Sequence, residues 1–537
     1  MSLPRLFLAC GIFVAAAALP LFAADPTPKD TKPAEESAKD SKQSPVVAEE
    51  PKLSVTQHTV TINGKTISYK ATVGYLVLKQ EVAPDGHPQK DDSDKKPGGD
   101  ESKDDLKPWA KIFFIAYTRD GMDPATRPVT FAFNGGPGAA SVWLHLGALG
   151  PRRVKLGEIG DGPTAPPYAL VDNESSWLDD TDLVFIDPVS TGYSRPATGE
   201  SAQTFHGYEP DIKSVAEFVR LYITRNKQWL APKFIIGESY GGARAAGLSA
   251  YLQDMENIYV NGVIIVSGLL NAQTIDSNPG NNDLPYSLFL PGYAATAWYH
   301  KKLPPDMQAK TAEEVRKEAE EFAAKEYPLA LMQGTALPEA DQKQIAQKIS
   351  SFTGLPVDLI LRYHLRISAG LFRQELMKGD NRLIGRFDSR VSGIGYDPDG
   401  DDFDPSFEAI KGAYTATIND YLRNELKFET DIPYETLAEI SWKGPESHYL
   451  EVERSLSNAM SQNASMKVWV VAGYYDLAIA YSATQYAVRQ MLIDPALRPN
   501  LSLTTYEGGH MIYNNEPSRK KFKADFETFL NGALHTK

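Results

Sequence analysis

Lys233-Phe234-Ile235-Ile236-Gly237-Glu238-Ser239-Tyr240-Gly241-Gly242 decides the reading of this chain. The apolar run predicts a buried strand. Gly-x-Ser-x-Gly follows it at once and leads into a helical stretch from about residue 242 to 255, which is the strand–turn–helix setting of a nucleophile elbow. Such a turn is sharp, so the residues flanking the serine must be small, and the Ser239 hydroxyl is lifted to the carboxyl end of its strand. A serine hydroxyl is too weakly acidic to attack unaided, so the same reading demands a base elsewhere in the chain.

On either side of the elbow, short apolar runs alternate with helical stretches. Residues 129–133 predict a strand ending in Asn134-Gly135-Gly136-Pro137-Gly138, and 182–187 predict another. Residues 212–229 carry apolar positions at helical spacing, and 260–266 predict the next strand. Strands return at 466–472 and 501–506, and a helix over 520–530 ends the chain. Alternation of this kind predicts an α/β class, with a mostly parallel central sheet flanked by helices on both faces. Nearer the start, residues 53–80 alternate around Asn63-Gly64, a hairpin signal, and 111–117 resume the strand pattern. Residues 83–107, charged and rich in Gly and Pro, read as an exposed loop between strands. From about 271 to 450 the alternation gives way to helices and loops (311–327, 339–352, 407–425), which predicts a helical cap insertion. The expected organisation is 1–23 as a leader, 24–52 as a disordered linker, 53–270 with 451–537 as the α/β-hydrolase core, and 271–450 as the cap.

In this fold the chain order is serine, then acid, then histidine. Five histidines follow Ser239: His300, His364, His448, His510 and His535. Of these, His510 stands in a Gly-flanked loop directly after a late strand, Tyr506-Glu507-Gly508-Gly509-His510. The preceding strand ends in Gly473-Tyr474-Tyr475-Asp476, so Asp476 is the acid that would orient the imidazole and stabilise its cation. An oxyanion needs two preorganised donors: the N–H of Tyr240, next after the nucleophile, and the N–H of Gly136 in the Gly-rich loop.

The bulk numbers agree with an exported enzyme. The 537 residues are 42% hydrophobic and 23% charged, ample for one large core. A net charge of −14 disfavours a nucleic-acid partner and an anionic membrane surface. Arg5 is the only charge before Asp25; the apolar run 6–19 and Leu21-Phe22-Ala23-Ala24 predict a signal peptide cleaved after Ala23, with no stable membrane insertion afterwards. Cys10, the single cysteine, lies inside that leader. The mature chain would then have no disulfide, no thiolate nucleophile and no cysteine metal site, which suits a periplasmic or secreted bacterial protein. The reading calls for no cofactor and no metal.

These blocks resemble the serine carboxypeptidase family, the carboxypeptidase Y-like group, and the chain looks like a bacterial member. Asn-Gly-Gly-Pro-Gly at 134–138 and Gly-Glu-Ser-Tyr-Gly-Gly at 237–242 are similar to its signatures. So are Asn173, Ser176-Trp177, the run from Asp187 to Ser194, Gly473 to Asp476 and Gly509-His510-Met511. The resemblance implies release of C-terminal residues from peptides through an acyl-enzyme on Ser239. It also implies that Asn134 and Glu238 hold the substrate's terminal carboxylate. The chain departs from the family pattern at Ala132, Ala139, Ala148 (usually Glu) and Ala243-Arg244. An esterase or acyltransferase on the same framework is the alternative, and a non-catalytic binding protein a third reading. Tyr293, Trp298 and Tyr299 are candidate cleft walls supplied by the cap. The acidic stretch 397–408 lacks the glycine an EF-hand loop needs at its sixth position and reads as a solvated loop.

Overall fold

The computed structural model describes residues 52–81, 106–157, 164–394, 403–444 and 449–535. The leader with Cys10, nearly all of the linker, the loop 83–105, the acidic residues 397–402 and His448 lie outside the described residues.

The central sheet takes its strands in chain order as β1 (Ser54–Ile62), β2 (Lys65–Glu81), β3 (Leu106–Arg119), β4 (Val129–Phe133), β5 (Asp182–Ile186), β6 (Lys233–Glu238), β7 (Gly262–Val266), β8 (Lys467–Gly473) and β9 (Leu501–Tyr506). Their spatial order is β1-β2-β3-β5-β4-β6-β7-β8-β9. From β5 to β9 neighbouring strands are parallel. The edge β1-β2-β3 is antiparallel, with the β1–β2 hairpin closing at Asn63-Gly64. This is the α/β-hydrolase fold, with β4 and β6 side by side so that the Gly-rich loop and the elbow leave the sheet as neighbours.

Period-two alternation divides the strand residues between two cores. Phe234, Ile236, Ile264, Val266, Trp469 and Val471 face one side, and Ile235, Val263, Ile265, Val468 and Val470 the other. Burial on both faces explains why these strands read as continuous apolar runs. The first face is covered by the C-terminal helix Glu516–Leu534, where Phe526 stacks on Trp177 with centroids 3.6 Å apart, and by the helix Pro405–Asp420. The helices Tyr208–Arg225, Tyr240–Glu256 and Glu453–Gln462 cover the second. Both of the long helices flanking the elbow start earlier than their apolar spacing suggests, because Gly207 and the elbow turn, rather than side-chain pattern, set their first residues.

The interval 271–450 packs in two ways. Residues 286–384 form a third apolar cluster with Leu477, Ala480 and Ala483, built on the helices Leu284–Tyr299, Ala312–Lys325 and Glu339–Thr353. Residues 413–434 instead join the first core of the sheet through Tyr414, Ile418, Tyr421 and Leu426. A short antiparallel ladder, Arg382–Ile384 with Ser392–Ile394, interrupts the helices; three-residue strands carry too little period to be seen in the sequence.

Candidate active site

Ser239 follows β6 and caps the helix Tyr240–Glu256 with φ 61° and ψ −129°, a conformation that costs on the order of 1–3 kcal/mol for a residue with a Cβ. The surroundings hold it there. Its N–H donates to the Val266 carbonyl at 3.0 Å, and its carbonyl accepts from Gly242 and Leu269 at 2.8 and 3.0 Å. A Cβ on Gly237 would lie 1.9 Å from the Gly241 carbonyl oxygen, so the elbow closes only around glycine. Ser239 itself is half-buried, in contact with both solvent and protein.

Asp476 and His510 leave the neighbouring strands β8 and β9 and meet. His510 Nδ1 and Asp476 Oδ2 are 2.7 Å apart, both buried. Asp476 Oδ1 accepts from the N–H groups of Ala478 and Ile479 at 2.7 and 2.9 Å, which fixes the carboxylate. The His510 loop is held on both sides: its N–H donates to the Phe387 carbonyl, its carbonyl accepts from Ser267 Oγ at 2.7 Å, and the Phe387 ring stacks on the imidazole at 5.1 Å. Burial works to lower the His510 pKa, but the Asp476 charge and hydrogen bond, with the Glu238 charge, carry it above the ordinary value. Of the other histidines after Ser239, His300 binds the Ser389 carbonyl at 2.7 Å, and His364 and His535 lie at helix ends.

The Gly-rich loop lies backbone to backbone against the elbow. A Cβ on Gly135 would meet the nitrogens of Tyr240 and Gly241 at 2.4 and 2.6 Å. Gly135 is buried by this contact, whereas Gly136 beside it is exposed, with φ 101°.

Asn134 and Glu238 are brought together, 1% and 2% exposed. Asn134 Nδ2 donates to Glu238 Oε1 at 2.8 Å and its Oδ1 accepts from the Leu144 N–H at 3.1 Å. Glu238 Oε2 has no hydrogen-bond partner among the described residues. The Tyr513 hydroxyl sits close enough to favour its charged form without aligning as a hydrogen bond, and that hydroxyl too has no hydrogen-bond partner among the described residues. Burial raises the Glu238 pKa to about 7, against the lowering effects of His510, Tyr513 and Asn134.

Arg244, marked in the sequence only as a departure from the family pattern, and Asp211, not marked at all, emerge as supports of the site. Arg244 is wholly buried; its Nε donates to Asp211 Oδ2 at 2.8 Å and its Nη1 to the Asn134 carbonyl at 2.6 Å, between the rings of Phe133 and Tyr240. The Tyr240 hydroxyl shares Asp211 Oδ2 at 3.2 Å. One arginine thus ties the Gly-rich loop to the elbow helix. A charged residue at the fifth position of the helix Tyr240–Glu256, among glycines and alanines, was the available signal. Phe387 and Tyr513 left no such signal, since contact with His510 and Glu238 arises only in the fold.

Tyr293 stacks on Phe372 at 4.3 Å inside the third cluster, and Trp298 donates to the Lys310 carbonyl. Of the three, Tyr299 is the exposed one and lines a cavity. Asp404 caps the helix Pro405–Asp420 and binds the N–H groups of Arg386 and Phe387, and Glu408 pairs with Lys411, so these two members of the acidic stretch have partners of their own. Asp179, Asp180 and Glu527 converge closely enough to share an ion, but the Lys523 ammonium is paired with all three. No described helix is long and apolar enough to cross a membrane.

Fold and site together define an α/β-hydrolase carrying an elbow serine, a bonded histidine–aspartate pair and a buried glutamic acid beside the serine. The family model described as serine carboxypeptidase matches residues 105–365, which include the Gly-rich loop and the elbow. Similar proteins include serine carboxypeptidase-like 29 of Arabidopsis thaliana, 28% identical over 158 residues, 28% of this chain and 31% of that protein. Carboxypeptidase Y homolog A of Talaromyces stipitatus is 27% identical over 168 residues, 30% of this chain and 28% of that protein. The alignments thus span about a third of the length of these relatives. In structure the chain is similar to Kex1(Δ)p, a prohormone-processing carboxypeptidase from Saccharomyces cerevisiae, with a TM-score of 0.50 and 15% identity over 87% of this chain and 91% of that one.

Proposed function

We propose that this protein is a serine-type carboxypeptidase that releases single residues from peptide C-termini. The observation that carries the reading is Glu238, a buried acid of pKa about 7, hydrogen-bonded to Asn134 and adjacent in sequence to the nucleophile. Plain ester or amide hydrolysis has no use for a protonated carboxyl in that position. A substrate ending in a carboxylate has one, because two carboxylates in contact cannot both stay ionised at low cost, and the protonated partner donates a hydrogen bond.

In this reading the terminal carboxylate enters at Glu238 Oε2, where the Tyr513 hydroxyl now lies. The scissile carbonyl then rests against the N–H groups of Gly136 and Tyr240. His510 Nε2 takes the Ser239 proton as Oγ attacks, Asp476 stabilises the imidazolium, and the two N–H groups take the charge of the tetrahedral oxyanion. His510 returns the proton to the leaving amine, which departs as the free C-terminal amino acid. Water, deprotonated by the same imidazole, then hydrolyses the acyl-enzyme. Export to the periplasm or the medium, through the leader 1–23, belongs to the same proposal.

The test is a mixed-peptide digest followed by mass spectrometry, with each peptide supplied as free acid and as C-terminal amide. Stepwise loss of single residues from the free acids, and little from the amides, is expected. Cleavage of both forms at equal rates would assign the site to an esterase or amidase instead. Failure of an organophosphonate to label Ser239 would revive the non-catalytic reading.

A further inference from the structure

Beside the candidate triad lies a cavity of about 640 Å³ whose walls are cationic in a chain of net charge −14. Arg153, Arg390, Arg519 and Lys520 line it, and Glu516 is the carboxylate among its described lining residues. Its walls are neighbours of the reacting groups. Tyr513 lines it and places its hydroxyl beside Glu238. Gly147 belongs to the turn following Leu144, whose N–H is bound by Asn134. Arg390 closes the segment whose Phe387 stacks on His510.

Among the described residues the four cations outnumber the carboxylates paired with them. Arg390 makes two bonds to Asp388, at 2.9 and 2.7 Å, and Lys520 one to Glu516 at 2.6 Å. Arg153 and Arg519 share Glu174, at 3.3 and 3.7 Å. Among the described residues three carboxylates therefore serve four cations, and the weakest pairing falls on Arg519, 6% exposed, whose Nη1 donates to the Tyr513 carbonyl at 3.2 Å. Its Nε and Nη2 have no hydrogen-bond partner among the described residues. Burial, and then the charge of Arg153, hold its pKa below the usual arginine value, the mark of a cation in want of a counter-charge. Such surplus positive charge away from bulk water favours an incoming anion.

We infer that this cavity receives the side chain of the residue being released and that it selects an acidic one, aspartate or glutamate. The inference rests on the exopeptidase reading above: with the α-carboxylate at Glu238 and Tyr513, the side chain of the same residue points past Tyr513 toward the four cations.

Blocked dipeptides differing only in their last residue, Glu, Gln, Leu or Lys, test it on the full chain at about pH 6, where a substrate glutamate is ionised. The expected kcat/KM for Glu exceeds that for isosteric Gln roughly tenfold, with Lys the poorest, as befits recognition by a partly buried charge. Arg153→Gln should bring the Glu-to-Gln ratio toward one. Lys520→Glu, at the exposed rim, should lower it further without disturbing any buried pair. Equal release of Glu and Gln overturns the inference and leaves the exopeptidase reading standing. Release of none of the four, with Ser239 still labelled by a phosphonate, overturns both. Arg153→Gln and Lys520→Glu lowering all four substrates alike would assign the cavity to the α-carboxylate and overturn the inference as well.

Discussion

The loops at the carboxyl ends of β4, β6, β8 and β9 hold their geometry through backbone, whereas the interval 286–384 holds its through side-chain packing. In the first region the Gly-rich loop touches the elbow through atoms that leave no room for a Cβ at Gly135 or Gly237, and Ser239 is fixed by three main-chain hydrogen bonds. In the second, helices meet through interchangeable apolar groups: Tyr293 on Phe372, Phe322 on Tyr327 and Phe352. The proposed chemistry, which depends on a fraction of an ångström, sits where the main chain leaves no alternative, and the packed region needs only volume and polarity to be right.

The sharpest way to break this comparison is at the strand ends. Ser239→Ala should cost on the order of 10⁴–10⁶ in kcat/KM with an unchanged thermal midpoint, since the alanine loses one oxygen at a half-buried site. Asp476→Asn should cost about 10⁴-fold, because the amide holds the imidazole in the wrong tautomer. Wild-type turnover in a folded Ser239→Ala protein would end the proposed mechanism.

Two substitutions of similar energy should then part company. Phe372→Ala, at a fully buried ring, should lower stability by about 3–5 kcal/mol while kcat below the new midpoint stays near wild type. Arg244→Met leaves the Asp211 carboxylate buried without its cation and should also cost about 3–5 kcal/mol. It additionally frees the Asn134 carbonyl, so kcat should fall with stability. Circular-dichroism melts beside steady-state rates separate the two; if both variants lose kcat alike, the packed interval is coupled to the site after all.

The same division governs what could be read from the chain. Strand–turn–helix order, the elbow and the Gly-rich loop are legible because glycine spacing and period-two runs record backbone constraints locally. Asp476 and His510 are legible as positions after late strands, although their 2.7 Å contact spans 34 residues. Packing partners are not recorded that way. Nothing around Phe387 announces that it covers His510, and Tyr414 and Tyr421, in a stretch that reads as cap, belong to the sheet's own core. The split of 271–450 between two clusters is decided by which surface each amphipathic helix meets, and amphipathicity alone names no partner.

The smallest effect probes Glu238, the strand-end group whose proposed role is electrostatic rather than positional. Burial raises the Glu238 pKa to about 7, so the side chain is a neutral donor below that pH and an anion above it. A substrate carboxylate meets a hydrogen-bond donor in the first case and a like charge in the second. KM for free-acid peptides should therefore be flat at low pH and climb above about pH 7, approaching roughly tenfold per pH unit for one proton retained on binding. Glu238→Gln keeps a neutral donor at every pH and should flatten that climb, whereas C-terminal amides should show little of it with either protein. A second signature follows from the coupling to His510. The Glu238 charge contributes to the raised His510 pKa, so its removal should move the acid limb of kcat/KM to lower pH. Because the two groups interact, each limb reports the pair, and the shift between proteins, rather than either apparent value, is the quantity to measure. A KM that climbs equally in Glu238→Gln would show that Glu238 does not face the substrate carboxylate. The buried acid would then be only a strut between Asn134 and the elbow, and strand-end geometry would serve acyl transfer in general rather than the removal of C-terminal residues.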